Sequence, residues 1–126
     1  MKALLIIAQG SRCKNSNDEI RRLADRINEN LGPAFGLATS AFLDISSPHI
    51  DSAVADLIDE GATEIRVLPY FLSADTHVTK DIPAAIKEEK EKYPNTRFGI
   101  LPHFGALQGI STLILNYIYK SGSIGD

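Results

Sequence analysis

The run Ile65-Arg66-Val67-Leu68-Pro69-Tyr70, with Phe71-Leu72-Ser73-Ala74-Asp75-Thr76-His77 directly after it, indicates the architecture of this chain. The first part is almost entirely apolar, which is typical of a strand buried on both faces of a parallel sheet. The second part places a histidine and a carboxylate just beyond the carboxyl end of that strand. Open α/β sheets bind ligands at this end of their strands, so the loop is the first candidate functional site.

Apolar strand-like segments recur on both sides of this run. Ala3-Leu4-Leu5-Ile6-Ile7-Ala8 is a continuous apolar run that ends at Gly10-Ser11. Three further segments rich in apolar residues, given with it below, indicate strands of the same buried type. The four predicted strands span residues 3–8, 36–43, 64–71 and 96–101.

Helical patterns separate these strands. Ser16-Asn17-Asp18-Glu19 has the form of a capping box and predicts the start of the first helix. Ser47 is expected to cap the second helix, with Pro48 at its first position. The third helix begins near Asp81-Ile82-Pro83, and the fourth covers residues 107–119. The alternation predicts a three-layer α/β/α fold with a four-stranded parallel sheet and right-handed crossovers.

Size and composition limit how many domains the chain can form and which kinds of partner it can bind. The chain has 126 residues, 44% of them hydrophobic, which suits one core. We expect a single domain over residues 1–120 and a flexible tail over residues 121–126. A net charge of −3 without a basic stripe argues against nucleic acid. No apolar run approaches the roughly 20 residues of a membrane span, so a cytoplasmic location is expected. The single Cys13 excludes an internal disulfide.

The last predicted helix is apolar or aromatic nearly all round. Leu113-Ile114-Leu115 and Tyr117-Ile118-Tyr119 would occupy more than one face, which a helix packed on one side does not need. Two interpretations stay open. Either the tyrosines only extend their hydroxyl groups into water, or the helix offers a surface to a partner.

Loops that follow parallel strands gather at one edge of the sheet, so several polar side chains are expected to face one cleft. A histidine with a carboxylate can bind a divalent metal or transfer protons near neutral pH. The spacing is not specific, because no H-x-x-x-H or C-x-x-C element occurs. The loop Gln9-Gly10-Ser11-Arg12 also resembles the start of a nucleotide-binding loop, without its glycine pattern. The candidate side chains are those of Gln9, Arg12, Asp44, Asp75, His77 and His103.

Three segments together resemble the short CbiX/SirB-type sirohydrochlorin chelatases. They are Leu5-Ile6-Ile7-Ala8-Gln9-Gly10-Ser11-Arg12, Ala41-Phe42-Leu43-Asp44 with Pro48, and Val67 to Leu72 continuing through His77 to Asp81-Ile82-Pro83. The resemblance implies a chelatase-like domain that pairs as a homodimer and inserts Co²⁺ or Fe²⁺ into sirohydrochlorin, toward cobalamin or siroheme. The divalent metal would be a substrate, and no organic cofactor is expected. Longer relatives carry two such halves in one chain.

The resemblance also implies roles for individual residues. His77 matches a family histidine that binds metal and accepts protons, and Asp44 stands where many members have a glutamate, as a second metal or proton ligand. Gln9 occupies the position of the other family histidine, and an amide is neither a base nor a strong ligand for these metals. Ser11, Arg12 and the loop after the third strand would bind the tetrapyrrole, the loop residues being Phe71, Leu72, Ser73, Ala74, Asp75 and Thr76.

Two functions of different classes follow. In the first, the protein is a chelatase-type lyase in which His77 holds the metal and accepts protons, Asp44 assists, and Gln9 orients substrate or water. In the second, the replacement of the histidine by Gln9 leaves a catalytically impaired protein that binds a tetrapyrrole or a metal. A nucleotide-binding regulator with the same fold is a third and weaker alternative.

Overall fold

Strands and helices alternate along residues 1–120, the part of the chain that the structure, a computed structural model, describes. The expected tail, residues 121–126, lies outside the described residues. A turn of π-helix, His77–Asp81, leads directly into the third helix, and a short 3₁₀ turn, Phe104–Ala106, precedes the fourth. The main elements are β1 (Lys2–Ala8), α1 (Lys14–Glu29), β2 (Leu37–Phe42), α2 (Ile50–Asp59), β3 (Glu64–Pro69), α3 (Ile82–Lys92), β4 (Arg97–Ile100) and α4 (Ile110–Lys120).

The sheet is entirely parallel and has the strand order β2-β1-β3-β4. β1 lies between β2 and β3 and pairs with both. Ile7 is in register with Ala41 on β2 and with Pro69 on β3. The predicted four-stranded parallel sheet is therefore confirmed. Its carboxyl edge carries the loops that follow all four strands.

The larger core lies between the sheet and the helices α2 and α3. Apolar residues of β1 and β3 pack there against the buried stripes of both helices. Helix α1 covers the opposite face and packs against β2. There the guanidinium carbon of Arg21 lies 5.2 Å from the centroid of the Phe42 ring. These two helical layers around the sheet confirm the predicted three-layer architecture.

The predicted capping box at the start of α1 is wrong. The helix begins at Lys14, with Cys13 at the N-cap position and no side-chain cap, so Ser16 lies inside its first turn. Asn17 is buried because it clamps the preceding loop. Its Oδ1 accepts a hydrogen bond from the Ser11 N–H at 2.9 Å, and its Nδ2 donates to the Ser11 carbonyl at 2.7 Å. These two bonds fix the loop before α1, and the first turn of the helix has no side-chain cap.

The predicted start of α2 is also wrong. Pro48 is not a helical residue, because its carbonyl accepts a hydrogen bond from the Phe42 N–H at 2.9 Å and extends the edge of β2. The Ser47–Pro48 peptide bond is cis, and the helix begins at Ile50 with His49 as its N-cap. β3 ends at Pro69 rather than at residue 71, since the Phe71 N–H turns back to the Pro69 carbonyl.

Helix α4 begins three residues later than predicted, because Gly109 adopts a φ of 92° and separates it from the preceding 3₁₀ turn. None of its residues is buried. Leu113, Ile114, Leu115 and Ile118 are 48–54% exposed. Among the described helices, none is long and apolar enough to cross a membrane.

Candidate functional site

The loops after β1 and β2 are joined at the carboxyl edge of the sheet. The Asp44 N–H donates to the Gln9 carbonyl at 3.0 Å. Gly10 has a φ of 91°, and a Cβ at this position would collide with the carbonyl oxygen of Asp44. Only glycine fits this close approach, so Gly10 sets the distance between the two loops.

The loops after β3 and β4 are joined in the same way. The Gly105 N–H donates to the Phe71 carbonyl at 3.0 Å, and a Cβ at Gly105 would collide with the Leu72 carbonyl. The rings of Tyr70 and Phe104 pack with their centroids 5.0 Å apart. The loops therefore form one surface along the edge of the sheet. Within it, residues 72–76 are all exposed.

His77 lies at the start of the π-helical turn, with 38% of its side chain exposed. Its ring centroid is 5.9 Å from that of Phe71, and its Nδ1 is 2.7 Å from Oδ2 of Asp81. A carboxylate only accepts hydrogen bonds, so Nδ1 of the neutral imidazole carries the proton. The second nitrogen, Nε2, then has its lone pair available for a metal ion or a proton.

Asp81 was not predicted as a site residue. In the sequence it marks the start of a helix and the end of the third segment of the family resemblance. The usable signal was its spacing, because residues four apart on a helix lie on one face and can pair. Asp75 holds the same turn from its other end, where its Oδ1 accepts from the Val78 N–H at 3.2 Å and its carbonyl accepts from Thr79 Oγ1 at 3.0 Å.

Asp44 is exposed at the end of β2, and its Oδ1 accepts a hydrogen bond from the Ile45 N–H at 2.8 Å. This bond orients the carboxylate, and no hydrogen bond to Oδ2 is found within residues 1–120. Within residues 1–120, no group of three His, Cys, Asp or Glu side chains is close enough to hold a metal ion. A metal shared by His77 and Asp44 stays a prediction.

Gln9 brings an amide to the middle of this edge. Its Oε1 is buried and, within the described chain, has no hydrogen-bond partner. A buried acceptor without a donor is unfavourable by about 1–3 kcal/mol, so the amide gains a hydrogen bond if it rotates toward a donor at the edge of the sheet. Ser11 is held by Asn17 and donates no bond toward the edge surface among the contacts of residues 1–120, whereas Arg12 is exposed.

The expected cleft is an open surface in this chain. Gln9, Asp44 and His77 line none of five cavities of about 200–330 Å³ that lie elsewhere in the described part of the chain. The exposed loops after the strands supply one wall for a ligand.

The remaining titratable candidates belong to other turns and helix ends. His103 is half-buried and precedes the 3₁₀ turn, and His49 is exposed at the start of α2. Cys13 is exposed, and the backbone N–H of Ser16 lowers the pKa of its thiol. Neither histidine is the hydrogen-bond partner or the ring contact described for His77.

Comparisons with known proteins agree with the architecture. The CbiX family model matches residues 3–121. A sirohydrochlorin ferrochelatase of Priestia megaterium is 30% identical over 121 residues, covering 96% of this chain and 45% of that protein. A sirohydrochlorin cobaltochelatase of Methanocaldococcus jannaschii is 37% identical over 84 residues, 66% of this chain and 57% of that protein. The chain thus spans about half the length of these relatives.

Two solved structures share the fold. A CbiX protein of Marinobacter aquaeolei VT8 aligns with a TM-score of 0.82 at 21% identity, covering 96% of this chain and 94% of that one. The sirohydrochlorin chelatase SirB of Bacillus subtilis subspecies spizizenii, in complex with cobalt, aligns with a TM-score of 0.81 at 23% identity, covering 94% of this chain and 50% of that one. The family model extends over nearly all of the sequence, and this chain belongs to the CbiX family.

Proposed function

We propose that this protein is a lyase that inserts Co²⁺ or Fe²⁺ into sirohydrochlorin. The observation that carries the proposal is the half-exposed His77 at the carboxyl edge of the sheet, with its Nδ1 held by Asp81 at 2.7 Å. A histidine fixed in this way offers Nε2 to a metal or a proton. The family membership and the chelatase relatives support the same reaction.

Metal insertion needs a divalent ion to lose water while two N–H protons leave the macrocycle. His77 Nε2 serves both needs in turn, first as a ligand for the metal substrate and then as an acceptor for a pyrrole proton. The Asp44 carboxylate, oriented by the Ile45 N–H, assists with the metal or the second proton. The carboxylates on the rim of the substrate bind the exposed Arg12.

Gln9 has an orienting role in this proposal. Its Oε1 lacks a donor in the described chain, and rotation of the amide toward the edge would let it accept from a pyrrole N–H or from a water molecule that contacts the ring. Loss of one positioned general base lowers a rate by on the order of 10²–10⁴-fold, so Gln9 predicts a slower enzyme than one with histidine there. The alternative of a catalytically impaired binding protein has no support from the comparisons, since the relatives are chelatases.

A homodimer completes the proposed enzyme. Each chain presents one wall of a site and leaves the apolar residues of α4 exposed. On the face of the sheet that α1 covers only in part, Leu68 and Leu101 remain half-buried. In a dimer, α4 of the second copy would pack over Leu68 and Leu101, and the apolar residues of α4 would be buried by the same contact. The cytoplasmic location and the absence of an organic cofactor stay predictions.

The absorbance spectrum of sirohydrochlorin reports insertion directly. We expect the wild-type protein to accelerate the spectral change after addition of Co²⁺ or Fe²⁺ over the protein-free control. Gln9→His should accelerate it further, because it restores a second base. A wild-type protein with no acceleration beside an active Gln9→His variant would contradict the enzyme proposal.

A further inference from the structure

The turn after β2 holds a β-branched residue in a strained backbone conformation. Ile45 has a φ of 66°, in the left-handed region that L residues avoid. The Ser46 N–H donates to the Asp44 carbonyl at 2.7 Å, so Ile45 is the central residue of a γ-turn of the rare form with positive φ. Glycine or asparagine would adopt this conformation with less strain.

Contacts outside the side chain of Ile45 hold this turn. Nη2 of Arg21 donates to Ser46 Oγ at 2.9 Å and to the Ser47 carbonyl at 2.8 Å. On the other side, the Asp44 carbonyl rests against Gly10. The strain is therefore imposed by the surroundings, as it is at many functional sites.

The side chain of Ile45 contributes little to the fold. It is 55% exposed and does not belong to the core cluster of the sheet and helices. Packing therefore does not explain why an isoleucine occupies a position that disfavours it. Leu72, in the loop after β3, is 77% exposed at the same edge. Because β1 separates β2 from β3, the two loops are about two strand spacings, or roughly 10 Å, apart.

We propose that Ile45 is a substrate-contact residue that packs against the apolar face of the tetrapyrrole, with Leu72 as its counterpart across the Gln9 loop. The inference rests on the proposed function and adds an apolar residue to the polar side chains of Gln9, Asp44 and His77. A flat macrocycle has apolar faces and a charged rim, so apolar contacts bind the ring while polar groups act at its centre and edge. The rigid turn positions Ile45 in advance, which lowers the entropy lost on binding. Ile45 therefore sets affinity for the tetrapyrrole and leaves affinity for the metal unchanged.

The test compares Ile45→Asn with the matched control Ile45→Leu, which keeps four side-chain carbons. Binding of metal-free sirohydrochlorin is measured by absorbance titration, and stability by thermal unfolding. We expect Ile45→Asn to raise the dissociation constant about tenfold, as for an isoleucine that is half buried on binding. The same variant should raise Tm by about 3 °C, because asparagine tolerates a positive φ. Ile45→Leu should bind like the wild type.

Three results would overturn the inference. Unchanged affinity of Ile45→Asn, with a wild type that binds, removes the contact and leaves the proposed function intact. A lower Tm for Ile45→Asn would show that Ile45 stabilises the fold itself. A wild-type protein that binds no metal-free tetrapyrrole removes both this inference and the proposed function.

Discussion

In the proposed enzyme, the pair formed by His77 and Asp81 carries the chemistry at the edge of the sheet. A histidine alone distributes its proton between two nitrogens, whereas the carboxylate at 2.7 Å from Nδ1 selects one of them. The reactive nitrogen, Nε2, then has a defined direction and a lone pair. The position of the histidine was predictable from the sequence, and its carboxylate partner was not recognised.

Replacement of Asp81 by asparagine should lower the rate of metal insertion by about 10–100-fold, the usual effect of losing a carboxylate behind a ligating histidine. The proton of His77 should also move toward Nε2, because the asparagine amide can donate to Nδ1. Long-range ¹H–¹⁵N correlation spectra of the imidazole distinguish the two tautomers. The matched control is Asp25→Asn, on the exposed surface of α1.

A purely structural role for Asp81 gives a different result. The variant would then lose stability while the tautomer of His77 stays the same. An unchanged rate with an unchanged tautomer would contradict the role that we assign to this carboxylate.

The strands β3 and β4 are joined at their amino ends by Glu64. Its carboxylate accepts hydrogen bonds from Nε of Arg66 at 2.6 Å and from Nη2 of Arg97 at 3.1 Å. Glu64 is buried, and the hydrogen bond from Arg66 is the main reason that the pKa of its carboxyl lies below the ordinary 4.5. The ion pairs connect an edge strand of only four residues to the rest of the sheet.

This arrangement predicts a specific dependence of stability on pH. Because the pKa of Glu64 is lower in the folded chain, its contribution to the free energy of unfolding is complete above about pH 4.5 and is lost as the pH falls through the folded-state pKa. Glu64→Gln should therefore destabilise the protein near pH 7 and flatten the acid limb of its stability curve. Chemical unfolding at a series of pH values measures both. Equal slopes below pH 4.5 for wild type and variant would contradict the prediction.

The elements themselves were predictable because apolar runs and helical stripes are local patterns. All four strands and four helices occur in the expected order. The starts of the helices were less predictable. Before α1, the side chain of Asn17 is hydrogen-bonded to the backbone of Ser11. Before α2, the carbonyl of Pro48 accepts a hydrogen bond from the Phe42 N–H. Both contacts join residues six positions apart in the sequence, and local capping rules, which cover a single helical turn, do not include them. For the same reason the sequence indicated the site loops but not the γ-turn at Ile45.

The whole chain is one half of a larger assembly in our account. Helix α4 leaves apolar side chains exposed, and a single chain offers no enclosed cavity at the His77 surface among the five described. A second copy would cover the exposed apolar side chains of α4. It would also supply an opposing wall for the His77 surface. Burial of large apolar patches is the usual reason for such association.

We expect the wild-type chain to be a dimer in solution and the double variant Ile114→Ser, Ile118→Ser to be a monomer with little chelatase activity. Both isoleucines are 54% exposed on one side of α4, so the substitutions remove apolar contact without disturbing the core. Light scattering during gel filtration gives the mass of each. The matched control is Lys87→Ser, Lys90→Ser on the solvated face of α3. A monomeric wild type with full activity would contradict the dimer.

The rate of Co²⁺ insertion into sirohydrochlorin by His77→Ala is the most direct measurement of the central claim. His49→Ala is its matched control, because this second exposed histidine caps α2 and has no part in the proposed chemistry. The account predicts that His77→Ala lowers the rate by on the order of 10²–10⁴-fold, while His49→Ala keeps the wild-type rate. A His77→Ala protein that inserts cobalt as fast as the wild type would contradict it.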